Sequence, residues 1–315
     1  MEPILPRIDV SIIIVNYNSF EILSECLRSL FKFCIGTSNE VIVIDNASTQ
    51  GNVESVINNY NNINLVKNKT NLGFAAANNI GLKYAHGKYT LFLNNDTVFL
   101  DDSIKKVFDY SESSSENRFV GIQLLNSDGS RQESVVQFPS LWNTITENFF
   151  LYKLFPKSIL FNKYYQNCFD YNEPVEVDVI RGAFMFCPTE QLTKLDGFDE
   201  RFFFFSEETD MCKRFKDSGG KVIFYPVSSV IHYSGATADL DMWFKFKNQT
   251  TGKIQYYQKH FKGIMFFFAI LVHYSGLLLR GFLFAIGGVI TANKKLILKG
   301  YYFFGQLFVY PKNQF

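Results

Sequence analysis

Cysteine is sparse and unpaired in this chain. Its five residues (Cys26, Cys34, Cys168, Cys187 and Cys212) stand far apart in 315, with no C-x-x-C pair among them. That pattern excludes a disulfide framework or a cysteine zinc site and makes a reducing compartment the expectation. No G-x-G-x-x-G follows the first apolar run and no G-x-x-x-x-G-K-[ST] occurs anywhere, so dinucleotide hydride transfer and P-loop ATP hydrolysis drop out. An excess of one charge is missing too: 31 Lys and Arg meet 30 Asp and Glu without a basic patch, and nucleic acid is not an expected partner. The first nine residues carry two prolines and no basic-then-apolar arrangement, and residues 10–15 are too short for a signal-peptide core, which places the bulk of the protein on the cytoplasmic side. Apolar and aromatic material is abundant, with 47% hydrophobic residues, 35 Phe and 17 Tyr, enough for a large aromatic core.

Residues 10–15 (VSIIIV), 41–44 (VIVI) and 89–93 (YTLFL) are short runs with little alternation, the pattern of strands buried on both faces. Helical patterns lie between them. Asn18 and Glu21 read as a capping pair ahead of Phe20, Leu23, Leu27, Leu30 and Phe31 at helical spacing, and residues 75–85 and 101–110 read as two further helices. Alternation of strand and helix predicts an α/β fold with a mostly parallel, Rossmann-like sheet. Each strand stops in small polar or acidic residues: Asn16 and Asn18, then Asp45 and Asn46, then Asn94, Asn95 and Asp96. Carboxyl ends of parallel strands meet at one edge, where ligands bind, although polar βα loops also occur without function. Asp45 can accept a hydrogen bond from a pyrimidine N–H or a ribose, and Asp96 can offer a hard oxygen to a divalent cation, which suits a nucleoside diphosphate.

Six segments in order, SIIIVNYN, VIDNAST, NLGFAAANNIGL, LFLNNDT, RGAFMFCP and the block 197–235 beginning GFDERFFFFSEETDMCKRF, resemble a GT-A fold family 2 glycosyltransferase of the rhamnosyltransferase-like kind. The likeness runs from about residue 9 to 262. It implies a GT-A domain over 1–262, with an acceptor-side excursion at 125–175, and an inverting, metal-dependent transfer from a dTDP- or UDP-sugar to a glycan or lipid-linked saccharide. It implies Mg²⁺ or Mn²⁺ as cofactor, with Asp96 and His232 as ligands, and Glu208 as general base. Asn16, Asn18, Asp45, Gly73, Asn78 and Asn95 fall where such enzymes hold the donor nucleotide. Four positions depart from the pattern: Asn94 and Asn95 replace acids, Glu208 stands where Asp is common, and Asn78 stands where Arg is common. Thinned acids leave open a non-catalytic nucleotide-sugar-binding subunit of a membrane assembly. Read locally, Ser206 before Glu207, Glu208 and Asp210 is also an ordinary helix start, and His232 alone reads as a structural histidine.

Between Lys262 and Lys294 the only permanently charged side chain is Arg280. Residues 263–315 therefore read as an apolar segment that associates with the inner membrane or dimerises, with a hairpin broken near Arg280 and its flanking lysines on the cytoplasmic face.

Overall fold

A computed structural model describes residues 8–60, 62–158, 160–161, 172–233 and 242–311. Cys168 and the last two residues of the 197–235 block lie outside them. The chain divides into two compact units: Met1–Val136, Asp170–Glu200 and Glu207–Asp239 form the first, and Gln137–Phe169, Arg201–Ser206 and Leu240–Phe315 the second.

The first unit begins β1 (Val10–Asn16), α1 (Phe20–Phe33), β2 (Asn39–Asp45), α2 (Val53–Ile57), β3 (Ile63–Lys67), α3 (Gly73–Leu82), β4 (Tyr89–Asn94), β5 (Thr97–Phe99), α4 (Ser103–Glu112), β6 (Arg118–Leu125) and β7 (Val135–Val136). After α5 (Leu141–Asn148) and α6 (Leu151–Leu154) of the second unit, it resumes with β8 (Val175–Glu176), β9 (Val179–Ile180), β10 (Phe184–Pro188), α7 (Thr189–Lys194), α8 (Glu207–Asp217) and β11 (Lys221–His232). The main sheet runs β3-β2-β1-β4-β10-β6-β11-β5, with β8 on β11, and β7 pairs with β9 separately. Pairs β1–β2, β1–β4, β2–β3 and β6–β11 are parallel, whereas β10 lies antiparallel between β4 and β6. The first half is therefore the expected helix-crossover sheet. Its centre is closed by a strand that arrives after the chain has passed through the second unit, so no crossover fixes its direction as parallel.

Burial explains why β1 carries no alternation. Ile12 and Ile14 pack with Leu23, Cys26, Leu27 and Leu30 of α1, each large side chain worth about 1.5–3 kcal/mol. Ile13 faces α3, where Gly81 leaves only 2.4 Å between the place of a Cβ and the Ile13 side chain. Two local readings are corrected. Asn18 does not cap α1: it adopts φ 51°, and its Oδ1 accepts from the backbone N–H of Thr49 and Gln50 at 2.8 and 3.1 Å. The alternating Val175, Val177 and Val179, a pattern that by itself reads as one strand, are split: Val175 lies in β8, Val179 in β9 and Val177 between them.

The second unit adds α9 (Met242–His260), α10 (Ile264–Ile290) and α11 (Lys294–Gln306) to α5 and α6. Helix α10 runs unbroken through Arg280 for 27 residues, about 40 Å at roughly 1.5 Å each. Arg280 is accommodated rather than turned at: its guanidinium donates to the Glu147 carbonyl at 2.6 Å and stacks over Phe150. The chain reverses instead at Thr291–Asn293, where Ala292 takes φ 50° and Asn293 caps α11. Gly281, Gly288 and Gly300 let α10 and α11 approach closely; a Cβ on Gly288 would lie 2.6 Å from the Ile297 backbone nitrogen. Ile264, Phe268, Leu271, Leu278, Phe282, Ile286 and Val289 leave one apolar face of α10 exposed. By length and composition α10 suffices to cross a membrane.

Candidate active site at the strand ends

Parallel pairing of β1 with β2 and β4 brings their carboxyl ends side by side, with Asn16 opposite Asp45 in register. Asn16 is wholly buried, and its Oδ1 accepts from Asn95 Nδ2 at 3.0 Å while its own Nδ2 finds no partner. A buried amide donor left over at a sheet edge is a cost that a bound acceptor oxygen would remove. Asn18 and Asp45 meet through Ser48, whose hydroxyl donates to Asp45 Oδ1 at 2.5 Å and accepts from the Asn18 N–H at 2.9 Å. Beside them lies a concavity of about 560 Å³ lined by Phe20, Asp45, Ser48, Gly51, Asn52, Val53, Glu54 and Lys67. Lys67 pairs with Glu54 there, and that hydrogen bond holds the Glu54 carboxyl below its ordinary range.

Gly73 opens α3 with φ 83°, a left-handed conformation that costs glycine little, and its carbonyl accepts from Asn46 Nδ2 at 3.2 Å. Asn78 is buried and turned onto its own helix, donating to the Phe74 carbonyl at 3.0 Å. The neighbouring Asn79, which the sequence does not single out, clasps the turn before residue 201: it exchanges two 2.8 Å hydrogen bonds with the Phe198 backbone and donates to Glu200 at 3.0 Å.

Asp96 sits in the turn between β4 and β5, only 3% exposed. Strand β5 pairs antiparallel with the end of β11, setting His232 opposite Thr97, and Tyr233 N–H donates to the Asp96 carbonyl at 3.0 Å. The pairing puts His232 Nε2 3.3 Å from Asp96 Oδ1 and 3.3 Å from Asn94 Nδ2. Among the described residues no group of three or more His, Cys, Asp or Glu could hold a metal. Two protein ligands are nevertheless what a diphosphate-bound cation asks for, since substrate oxygens and water fill the other positions. The chemistry of the donor pair fits: a carboxylate oxygen facing an imidazole nitrogen at this spacing calls for a proton or a cation between them.

Helix α8 carries the acid pair. Phe205 and Ser206 directly before it both hold left-handed backbone, φ 72° and 74°, strain that side-chain-bearing residues seldom take. Glu207 is buried with Oε2 unpaired, and burial first, then the adjacent Glu208, pushes its carboxyl well above the usual range. Glu208 stays 12% exposed at its side chain, with Oε1 3.9 Å from Arg181 Nη1, while Arg181 is held in close contact with Glu133. Asp210 is committed to structure through a 2.8 Å pair with Arg214, which also donates to the Leu195 and Gly197 carbonyls.

Sequence reasoning also misses Gln132 and Glu133, which touch His232 and Arg181. Both lie in the weakly patterned 125–175 stretch; the one available signal is a polar pair just ahead of the apolar Val135–Val136.

Several known proteins are similar to this chain. The chain is 27% identical over 171 residues to the rhamnosyltransferase WbbL of Escherichia coli (strain K12), covering 51% of this chain and 61% of that protein. It is 24% identical over 243 residues to an N-acetylglucosaminyl-diphospho-decaprenol L-rhamnosyltransferase of Mycobacterium tuberculosis (strain ATCC 25618 / H37Rv), covering 73% and 78%. Its fold matches the mannosyltransferase PcManGT of Pyrobaculum calidifontis, solved with GDP-Man and Mn²⁺, at TM-score 0.56 and 15% identity over 95% of this chain and 86% of that one. The chain spans less than two thirds of several curated relatives it matches, WbbL among them. Glycosyl transferase family 2, as a sequence family, matches residues 11–185, the stretch that carries Asn16, Asp45, Asp96 and the start of the closing strand β10, and to that family this chain belongs.

Proposed function

We propose that this chain transfers a sugar, with inversion, from a dTDP- or UDP-linked donor to a hydroxyl of a glycan or lipid-linked saccharide, and that rhamnose is the sugar moved. The observation that carries the reading is the Asp96–His232 pair, 3.3 Å apart at the strand-end edge that also holds Asn16, Asn95 and Asp45. Relatives named as rhamnosyltransferases support the sugar, and a relative named for a decaprenol diphosphate acceptor supports the lipid carrier. Asp96 and His232 would hold a divalent cation, Mg²⁺ or Mn²⁺, which when bound offsets the charge of a diphosphate.

Asp45, with Ser48 fixing one of its oxygens, is the group for the base or ribose, and the concavity beside it has room for them. The unpaired amide of Asn16 is a donor awaiting an oxygen of the nucleotide. Glu208 takes the proton of the acceptor hydroxyl as that oxygen bonds to the anomeric carbon. The bond from that carbon to the diphosphate oxygen breaks in the same step, its electron pair leaving with the nucleoside diphosphate. Attack opposite the leaving group inverts the centre. The exposed apolar face of α10, flanked by Lys262, Lys294 and Lys295, suits the surface of an anionic membrane, where a lipid-linked acceptor resides.

Glu208→Gln is expected to keep donor binding and lose about 10²–10⁴-fold in turnover; transfer at the wild-type rate would overturn the base assignment. Asp96→Ala should abolish the Mn²⁺-dependent part of UDP or dTDP binding in a calorimetric titration with and without the ion. The single carboxylate left by Asn94 and Asn95 favours, as a second reading, a nucleotide-sugar-binding subunit without turnover; slow donor hydrolysis in the absence of acceptor would exclude it.

A further inference from the structure

The two nitrogens of His232 keep different company. Nδ1 lies 2.7 Å from Gln132 Oε1, and Nε2 faces Asn94 Nδ2 and Asp96 Oδ1, each at 3.3 Å. What lies behind Gln132 decides which nitrogen carries the proton. Gln132 Nε2 donates to Asn126 Oδ1 at 3.0 Å and to the His232 carbonyl at 3.2 Å, so an inverted amide would set oxygen against two oxygens. Asn126 is oriented in turn, because its Nδ2 donates to Ser130 Oγ at 2.9 Å. The Ser130 hydroxyl donates to Asp128 Oδ1 at 2.6 Å. There the series ends, since an ionised carboxylate only accepts, and the hydrogen bonds from the Ser130 side chain and backbone hold the Asp128 carboxyl below its ordinary range. Every donor and acceptor assignment follows from the one before it, from Asp128 inward.

We propose that Gln132 is a positioning residue: as the last member of a one-way relay Asp128–Ser130–Asn126–Gln132, it holds His232 as the Nδ1–H tautomer with Nε2 bare toward Asp96, ready to ligate a divalent cation. The proposal rests on the Asp96–His232 reading above. A ligating imidazole works best when its second nitrogen is pinned by an acceptor, and removing such a partner typically costs about 10–100-fold in metal affinity. The relay spans only the turn after β6, which is closed by the Asn126 backbone N–H donating to the Ser130 carbonyl at 2.8 Å. The direction set at an exposed carboxylate therefore reaches a buried site through residues 126–132 and one contact.

Two measurements on the full chain test this. In metal-free protein, ¹⁵N-imidazole spectra should place the His232 proton on Nδ1, and Gln132→Leu should shift it toward a mixture of tautomers. By electron paramagnetic resonance with Mn²⁺ alone, Gln132→Leu should bind the ion about 10–100-fold more weakly. Asn126→Leu breaks the relay one bond further out and should act in the same direction if Gln132→Leu fails to fold. A wild-type proton on Nε2, or Gln132→Leu with unchanged Mn²⁺ affinity, overturns the proposal. Should Asp96→Ala and His232→Ala leave Mn²⁺ binding unchanged, the cation reading fails instead, and the tautomer spectrum still decides the relay.

Discussion

Replacing Asn79 by Ala is a sharp test of how the turn before residue 201 is held. Its side chain makes three hydrogen bonds: two with the Phe198 backbone at 2.8 Å and one to Glu200 at 3.0 Å. Phe198 is 2% exposed, so its N–H and C=O would both be stranded in the interior. Each stranded group costs about 1–3 kcal/mol, whereas Glu200 can turn to water at little cost. Alanine's better helix propensity returns about 0.5 kcal/mol within α3. The net loss is about 3 kcal/mol, and for a domain of this size each kcal/mol lowers Tm by about 2–4 °C, so a fall of about 6–12 °C is expected. Thermal unfolding followed by near-ultraviolet circular dichroism reads it. Arg214 braces the same turn through the Leu195 and Gly197 carbonyls, so Arg214→Ala in the Asn79→Ala background should cost less than it does alone. A Tm within about a degree of wild type would mean that the stranded Phe198 groups find other partners and that the argument from buried satisfaction is wrong here.

Two further outcomes can be checked. Burial, and secondarily Glu208, raise the folded carboxyl of Glu207, so between the ordinary unfolded value and the raised folded one the native protein retains a proton that the unfolded chain has lost. Stability must then fall as pH rises through that window, and Glu207→Gln should exceed wild-type Tm at pH 8 yet match it near pH 4; a gap that does not vary with pH would refute this. Reversing Lys294, Lys295 and Lys299 to Glu should release the chain from vesicles containing phosphatidylserine in a sedimentation assay, because each lysine near such a surface contributes about 1 kcal/mol. Unchanged sedimentation, or a shift in native mass between monomer and dimer instead, would assign the apolar face to a second copy of the chain.

How far the site could be read in advance depended on the range of the interactions that build it. The adjacency of Asn16 and Asn95 follows from strand–helix alternation, because parallel β1 and β4 must end together, and the strand identities are written in runs such as SIIIV. The placing of His232 beside Asp96 needs the short antiparallel β5–β11 pairing, three residues with no periodic signature of their own. Gln132 is harder still, since its partner lies a hundred residues along the chain and its own neighbourhood has no regular pattern. Asn18 shows the opposite failure: the local pattern of Asn18 and Glu21 is a sound cap signal, overruled by the loop after β2, which offers two backbone N–H groups to the same oxygen. Arg280 misleads for a related reason. A lone cation in an apolar run reads as a break until the Glu147 carbonyl and the Phe150 ring supply what it needs.

The glycines between α10 and α11 carry a consequence for mechanics. With a Gly300 Cβ position only 2.8 Å from the Ala285 nitrogen, and Gly281 pressed on the Phe304 ring, nothing the size of a lipid tail can wedge between the two rods. They must tilt, slide or lift as one stiff plank, and a single methyl added at Gly288 or Gly300 would pry that plank apart along its length.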